Sequence, residues 1–297
     1  MFRRSRRQIT LVLVLVLAAG AAGAEGLAEY LGSITWADAD PAFGGFSGIE
    51  VAADGVGFLA LSDRATVWRG RIERGADGRM IGAVALGHDA LRDADGKLLS
   101  GYLTDAEGLA EAPDGSIYTS FEGLARVVRY PRPDAASEPL PRAEAFKAMQ
   151  TNAALEALAI GPDGAIYTMP EKAGLLAAGF PVYRFREGAW EQPFTLPHDG
   201  SWQAVGADFG PDGRFYLLER DFWGLVGFLS RVRRFDLTEA GFSGETLLLQ
   251  TRVREHDNLE GISVWRDASG DIRLTLIADN NFRLFQRNEI AEYRVKD

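Results

Sequence analysis

Residues Leu103–Glu122 read LTDAEGLAEAPDGSIYTSFE, and this stretch decides the fold. Two short apolar runs, GLA and SIYTSF, flank Pro113-Asp114-Gly115. Proline presets φ, aspartate bonds its own backbone and glycine supplies a positive φ, so the segment reads as strand, turn, strand. With Pro113 to Ser116 as the loop, Ala112 faces Ile117, and counting outward Glu107 faces Glu122. Like charges directly opposite each other on paired strands are destabilising. Either a positive charge lies between these two glutamates or they point into water.

The hairpin recurs. LEALAIGPDGAIYTMPE starts at Leu155, VGADFGPDGRFYLLERD at Val205, FSGIEVAADGVGFLALSDR at Phe46 and NLEGISVWRDASGDIRLTLIADNN at Asn258. Aligned starts at Ser47, Glu107, Glu156, Val205 and Glu260 give intervals of 60, 49, 49 and 55 residues. Two further strand-like runs follow most hairpins: ARVVRY and a stretch near PRAEAF, VYRF and WEQPFTL, RVRRFDL and GETLLLQTR. Four strands per unit at a period near fifty is the signature of an all-β fold, a β-propeller of four-stranded blades. The last unit has one extra strand, EIAEYRV, and AEYLGSITW (Ala28–Trp36) supplies its fourth, closing the ring from the N-terminal side. A closed ring leaves few open strand edges. The repeats count five blades; six is the alternative if the long first unit holds two, and a β-solenoid is the rival architecture. Helical signal is confined to Ala143–Gln150.

Residues 1–24, MFRRSRRQITLVLVLVLAAGAAGA, pair an arginine-rich start with an apolar run from Ile9 to Leu17 and an Ala-Gly-Ala end. This is the pattern of a signal peptide, and Ser5-Arg6-Arg7-Gln8-Ile9 loosely resembles a twin-arginine signal. Residues 25–297 are then one domain, with a periplasmic or secreted address. The apolar run is shorter than the roughly 20 residues that span a bilayer, so no stable membrane insertion is expected. Removing the four leader arginines leaves 28 basic against 42 acidic residues, a formal net of −14. That balance argues against nucleic acid and favours cations as partners. There is no cysteine, which excludes disulfides, thiolate metal sites and cysteine nucleophiles. A monomer acting on a small anionic ester is the expected state.

Strand A of a blade lies nearest the axis, and B runs back antiparallel to it. The start of A and the end of B therefore share one face of the disc. Glu107, Glu156 and Glu260 open their A strands, while Asp63, Glu122, Glu171, Glu219 and Asp279 stand at the ends of B. A crown of about eight carboxylates at one mouth of the channel costs folding energy unless neutralised. Oxygen donors without His or Cys suit Ca²⁺, which takes six to eight of them. Asp105, Asn152, Asp257, Asn258, Asn280 and Asn281 are further oxygen donors nearby. The alternative is that the carboxylates accept backbone N–H groups from the next blade and tie the ring. His256 lies just before Glu260 and is a candidate general base. Arg64 and Arg220 follow strand-B acids and are candidates to hold an anionic group. The aromatic run DFWGLVGF (Asp221–Phe228) is a candidate lid or partner contact. No nucleophile elbow and no glycine-rich phosphate loop is present.

GGFSGIE with LSDR, DAEGLAEAPDGSIYTSFE, NAALEALAIGPDG, and above all DNLEGISVWRD followed by IADNNFRLFQRNEI resemble the phytase-like ("esterase-like activity of phytase") domain of exported bacterial proteins. The resemblance spans nearly all of residues 25–297. It implies a β-propeller, an exported protein and hydrolysis of phosphoesters or other esters. The fourth repeat departs from the pattern, with Val205 where Glu stands elsewhere and Asp208 nearby. Two readings follow. One is a Ca²⁺-dependent hydrolase with Glu107, Glu156 and Glu260 as principal metal ligands and Asp63, Glu122, Glu171 and Asp279 behind them. The other is a non-catalytic propeller with a structural ion that binds a periplasmic partner or glycan. A lactonase-like propeller enzyme is a variant of the first.

Overall fold

The structure is a computed structural model that describes residues 26–149, 154–172, 179–283 and 285–296. The predicted leader, Gln150 and Asn152 lie outside the described residues. Five four-stranded antiparallel sheets form the blades of a β-propeller, so the repeat count of five holds. The first blade is β2 (Phe46–Val51), β3 (Gly57–Ser62), β4 (Thr66–Arg74) and β5 (Met80–Ala90). The second is β6 (Ala106–Glu111), β7 (Ile117–Phe121), β8 (Arg126–Tyr130) and β9 (Glu138–Pro139). The third is β10 (Leu155–Ile160), β11 (Ile166–Pro170), β12 (Gly179–Arg186) and β13 (Ala189–Pro197). The fourth is β14 (Gln203–Phe209), β15 (Phe215–Phe222), β16 (Phe228–Thr238) and β17 (Gly241–Gln250). In the fifth, β18 (Asn258–Arg266), β19 (Ile272–Asp279) and β20 (Glu289–Val295) are joined by β1 (Ala28–Thr35), which pairs with β20 as the ring closure requires. The long first interval is a loop and a short 3₁₀ turn at Gly101–Leu103, with no extra blade. PRAEAF is not a strand: it carries α1 (Glu144–Lys147), and the outer strand of that blade is only two residues long.

The turn aspartates act as their sequence predicts. Asp54, Asp114, Asp163, Asp212 and Asp267 each accept the backbone N–H two residues on, at 2.8–3.2 Å. The apolar residues between turns face both ways. Tyr216 and Leu218 pack toward the fifth blade, while Phe215 and Leu217 pack toward the third. Each of the five apolar clusters fills one blade-to-blade interface, which is why inner strands read as nearly unbroken apolar runs.

The register differs from simple counting. Glu111, not Ala112, faces Ile117, and Ala106 faces Phe121, so Glu122 lies opposite Asp105 rather than Glu107. In the third blade Glu171 likewise lies opposite Ala154 rather than Glu156. Two steps cause this: the turn is closed by Ala112 with Ser116 rather than Ile117, and a β-bulge lies in all five inner hairpins at the same place, spanning Ser47, Glu107, Glu156, Val205 and Glu260. A bulge inserts one unpaired residue and re-aims its side chain. The next residue is usually glycine because neighbouring inner strands crowd there. A Cβ at Gly108 would sit 2.5 Å from the carbonyl oxygen of Glu156, and one at Gly206 2.6 Å from that of Glu260.

Candidate functional site

The bulges sort the mouth into two rings. The inner ring is Ser47, Glu107, Glu156, Val205 and Glu260. Ser47 donates to the carbonyl of Ala106, and Val205 packs into the apolar interface with the fifth blade, so only the three glutamates bring charge. The second ring consists of the residues on strand B one step beyond the partner of the residue that precedes each bulge. These are Asp63, Glu122, Glu171, Arg220 and Asp279. Glu219 is not among them. It faces Ala204 across the hairpin and is fully buried on the other side of β15. There its carboxylate accepts two bonds each from Arg231 and Arg233 at 2.6–3.0 Å. Of the two blades that lack an inner carboxylate, the fourth thus supplies a guanidinium to the second ring.

That guanidinium is the positive charge among the acids. Arg220 donates to Glu171 Oε1 and Asn258 Oδ1, each at 2.9 Å, and to Glu260. Burial works against its charge, but Glu260, Glu156 and Glu171 outweigh that and hold it firmly protonated. Asn258 Nδ2 donates to Glu260 at 2.7 Å, and Lys172 lies 3.0 Å from Glu171. One arginine cannot balance the whole crown. Glu107 and Glu156 are only 8% and 6% exposed, and neither carboxylate is hydrogen-bonded to any described residue. Burial, then Glu156 and Glu260, push Glu107 well above the usual carboxylate range; burial, then Glu171 and Glu260, do the same to Glu156. Burial is also the main cause for Asp63, pushed up to about 6, Glu122 to about 7 and Asp279 to about 8.

Among the described residues two carboxylate trios could hold an ion. One oxygen from each of Asp105, Glu107 and Glu122 lies within 4.8 Å of the others, and so does one from each of Glu122, Glu156 and Glu171. This differs from the expected trio of Glu107, Glu156 and Glu260, because Glu260 is engaged by Arg220 and Asn258. Asp63 and Asp279 fall outside both trios. Two orphaned, buried carboxylates within all-oxygen trios fit a hard divalent cation.

The predicted tie role is also present, at particular residues. Glu122 Oε1 accepts the Ala154 N–H of the next blade at 3.2 Å. At the opposite end of the channel, Asp208 accepts the Val264 N–H at 2.6 Å and Ser263 the Val51 N–H at 2.9 Å, each across a blade boundary. Other expected site residues have different duties. His256 is 6% exposed, with Nδ1 2.8 Å from Glu289 and Nε2 2.5 Å from the Tyr293 hydroxyl. With both ring nitrogens engaged it anchors the loop to β20 and offers no lone pair to a substrate. Arg64 lies over the Phe282 ring, 3.2 Å from its centroid. Asp257 accepts Gln286 Nε2 and the Arg287 N–H, and Asn280 accepts the Gly45 N–H, so both brace loops around the mouth.

Beside the carboxylates opens a cleft of about 950 Å³. Glu171, Arg220 and Asn258 form its inner end. The Asp221–Phe228 segment forms a hairpin extension along its rim, with Phe222 paired to Phe228. The cations of this rim, Arg254, Arg283 and Arg287, flank the fifth hairpin, outside its repeated motif. The DNNF…QR stretch holds Arg283 and Arg287, and Arg254 lies just before His256.

The family model described as "Phytase-like: Esterase-like activity of phytase" matches residues 41–282. The chain belongs to the phytase-like family. No curated protein sequence matches it. Among solved structures, the phytase-like chain is similar in fold to an α-L-arabinofuranosidase from Podospora anserina, with TM-score 0.53, 13% identity, and coverage of 91% of this chain and 96% of that one. It is also similar to the PQQ-bound aldose sugar dehydrogenase of Streptomyces coelicolor, with TM-score 0.50, 16% identity, and coverage of 92% and 99%. A gluconolactonase from Xanthomonas campestris aligns at TM-score 0.45 and 17% identity, over 84% of this chain and 72% of that one. At these identities the likenesses speak to fold alone.

Proposed function

We propose that this phytase-like propeller is a Ca²⁺-dependent hydrolase of phosphoesters or related esters, working at the carboxylate mouth. The observation that carries the reading is the pair Glu107 and Glu156, buried and accepting no hydrogen bond from any described residue. Burying an uncompensated carboxylate costs several kcal/mol, so a site that keeps two side by side is built for a cation. Oxygen donors alone, with no His or Cys, favour Ca²⁺. Bound there, the ion would supply Lewis-acid charge against a phosphoryl or carbonyl oxygen.

The protein's own residues do the rest. Glu107 and Glu156, with Asp105, Glu122 and Glu171, would hold the ion. Arg220 keeps Glu171 and Glu260 in place and offers one fixed positive charge at the inner end of the cleft. The rim arginines attract an anionic ester and orient it toward the mouth. Taken with the leader-like residues 1–24, the reading is of an exported monomer acting on a small molecule. The test is a metal count on the purified protein, thermal unfolding in EDTA and with added Ca²⁺, and turnover of p-nitrophenyl phosphate by wild type and Glu107→Gln. A stoichiometric ion, a midpoint that rises with Ca²⁺, and turnover lost in Glu107→Gln are expected. Undiminished turnover in EDTA would overturn the reading.

A further inference from the structure

The cleft beside the mouth has a composition unlike the rest of the molecule. Lys172, Arg220, Arg254, Arg283 and Arg287 line it against only Glu171 and Asp257, in a chain of net charge −10. Arg220 and Lys172 are spoken for by Glu171. Arg287 approaches Glu289 only to 3.9 Å, and Arg283 has no carboxylate partner among the described residues. Between these cations stand aromatic rings. Phe222 is 57% and Phe285 79% exposed, and both face the cleft. Phe228 joins the two chemistries: its ring centroid lies 4.9 Å from that of Phe222 and 6.0 Å from the Arg220 guanidinium carbon.

Exposed aromatic rings gathered at a concave site signal a ligand with apolar surface, and an excess of arginines over carboxylates there signals an oxyanion. A polyol phosphate would satisfy the arginines and leave the rings wet. We infer that the cleft selects an amphiphilic substrate: a phosphomonoester of an aromatic or similarly bulky apolar alcohol. Its phosphate lies toward Arg220 and the carboxylate mouth, and its apolar group lies against Phe222 and Phe285. The reaction on that substrate rests on the hydrolase reading above; the binding preference rests on the cleft alone.

The test is therefore a binding measurement with phosphonates, which cannot be hydrolysed. Phenylphosphonate and methylphosphonate are titrated calorimetrically into the full-length protein in Ca²⁺ buffer. Burying one ring face predicts a preference of about tenfold or more for phenylphosphonate. In the doubly substituted Phe222→Ala, Phe285→Ala protein the preference should shrink to about twofold or less. Arg283→Ala, Arg287→Ala should weaken both ligands together. Equal binding of the two phosphonates, or binding of neither, overturns the inference; an unchanged preference in the double Phe variant does so as well and would leave the rings to a macromolecular contact. A phenyl preference without turnover of any phosphoester would sink the hydrolase reading and leave this one standing.

Discussion

Glu219 and Arg220 are neighbours in sequence and belong to opposite kinds of charge network. Glu219 is one carboxylate held by two guanidiniums, and every party is closely bonded. Arg220 is one guanidinium among many carboxylates, two of which bond to nothing described. Both networks are buried. A buried network that balances its charge and fills its hydrogen bonds has a structural task. One that leaves like charges unpaired is held in that state by the surrounding fold, and the cation proposed above would relieve the imbalance.

The largest expected effect breaks the balanced side. Glu219→Gln leaves Arg231 and Arg233, 8% and 3% exposed, without their shared anion. Urea unfolding should show a loss of about 3–5 kcal/mol. The Ca²⁺-induced rise in melting midpoint should be the same as in wild type. A lost Ca²⁺ response would show that the two networks are one.

The unbalanced side should show itself in pH. Carboxylates whose folded pKa is raised bind more protons folded than unfolded, so stability falls as pH rises from the unfolded value to the folded one. With Asp63 at about 6, Glu122 at about 7 and Asp279 at about 8, the window runs from roughly pH 4 to 8. A group shifted by about two units contributes on the order of 3 kcal/mol across it. In EDTA the unfolding midpoint should be higher at pH 5 than at pH 8, and saturating Ca²⁺ should reverse that order. A midpoint in EDTA that climbs steadily from pH 5 to 8 would mean the acids are already neutralised by the protein.

Substitution within the acid cluster should have the opposite sign to substitution at Glu219. Glu156→Gln removes repulsion toward Glu171 and Glu260, the charges that press on it. At pH 8 in EDTA the variant should be about 1–2 kcal/mol more stable than wild type. It should also lose the Ca²⁺ response and turnover. A destabilised Glu156→Gln with an intact Ca²⁺ response would identify Glu156 as a tie between blades.

The propeller was legible because turn chemistry and period repeat five times in one chain. Pro-Asp-Gly at a spacing near fifty has few other meanings. The carboxylate mouth was legible too, since an antiparallel hairpin brings both its outer ends to one face. Its membership was not, because counting outward from a turn assumes unbroken pairing. The common bulge re-aims the residue on each inner strand, and in the fourth blade the place of Glu122 and Glu171 falls to Arg220 rather than Glu219, which turns an expected five acids into four acids and a guanidinium. A signal was present: glycine follows the bulge at 48, 108, 206 and 261, where a side chain would strike the next blade. The cleft was the least legible part, since segments from three blades line it and its rim loops follow no period.

The smallest effect tests whether the balanced network works from its buried centre. Asp199 also bonds Arg231, but its side chain is 70% exposed. Water already screens that pair, so Asp199→Ala should cost less than about 1 kcal/mol, several times less than Glu219→Gln. Raising the salt concentration should shrink even that difference. If Asp199→Ala cost as much as Glu219→Gln, Arg231 would be held from the surface, and Glu219 would be a desolvated charge kept for some other use. The contrast with the mouth would then fail, because both networks would hold a carboxylate whose burial the fold itself does not explain.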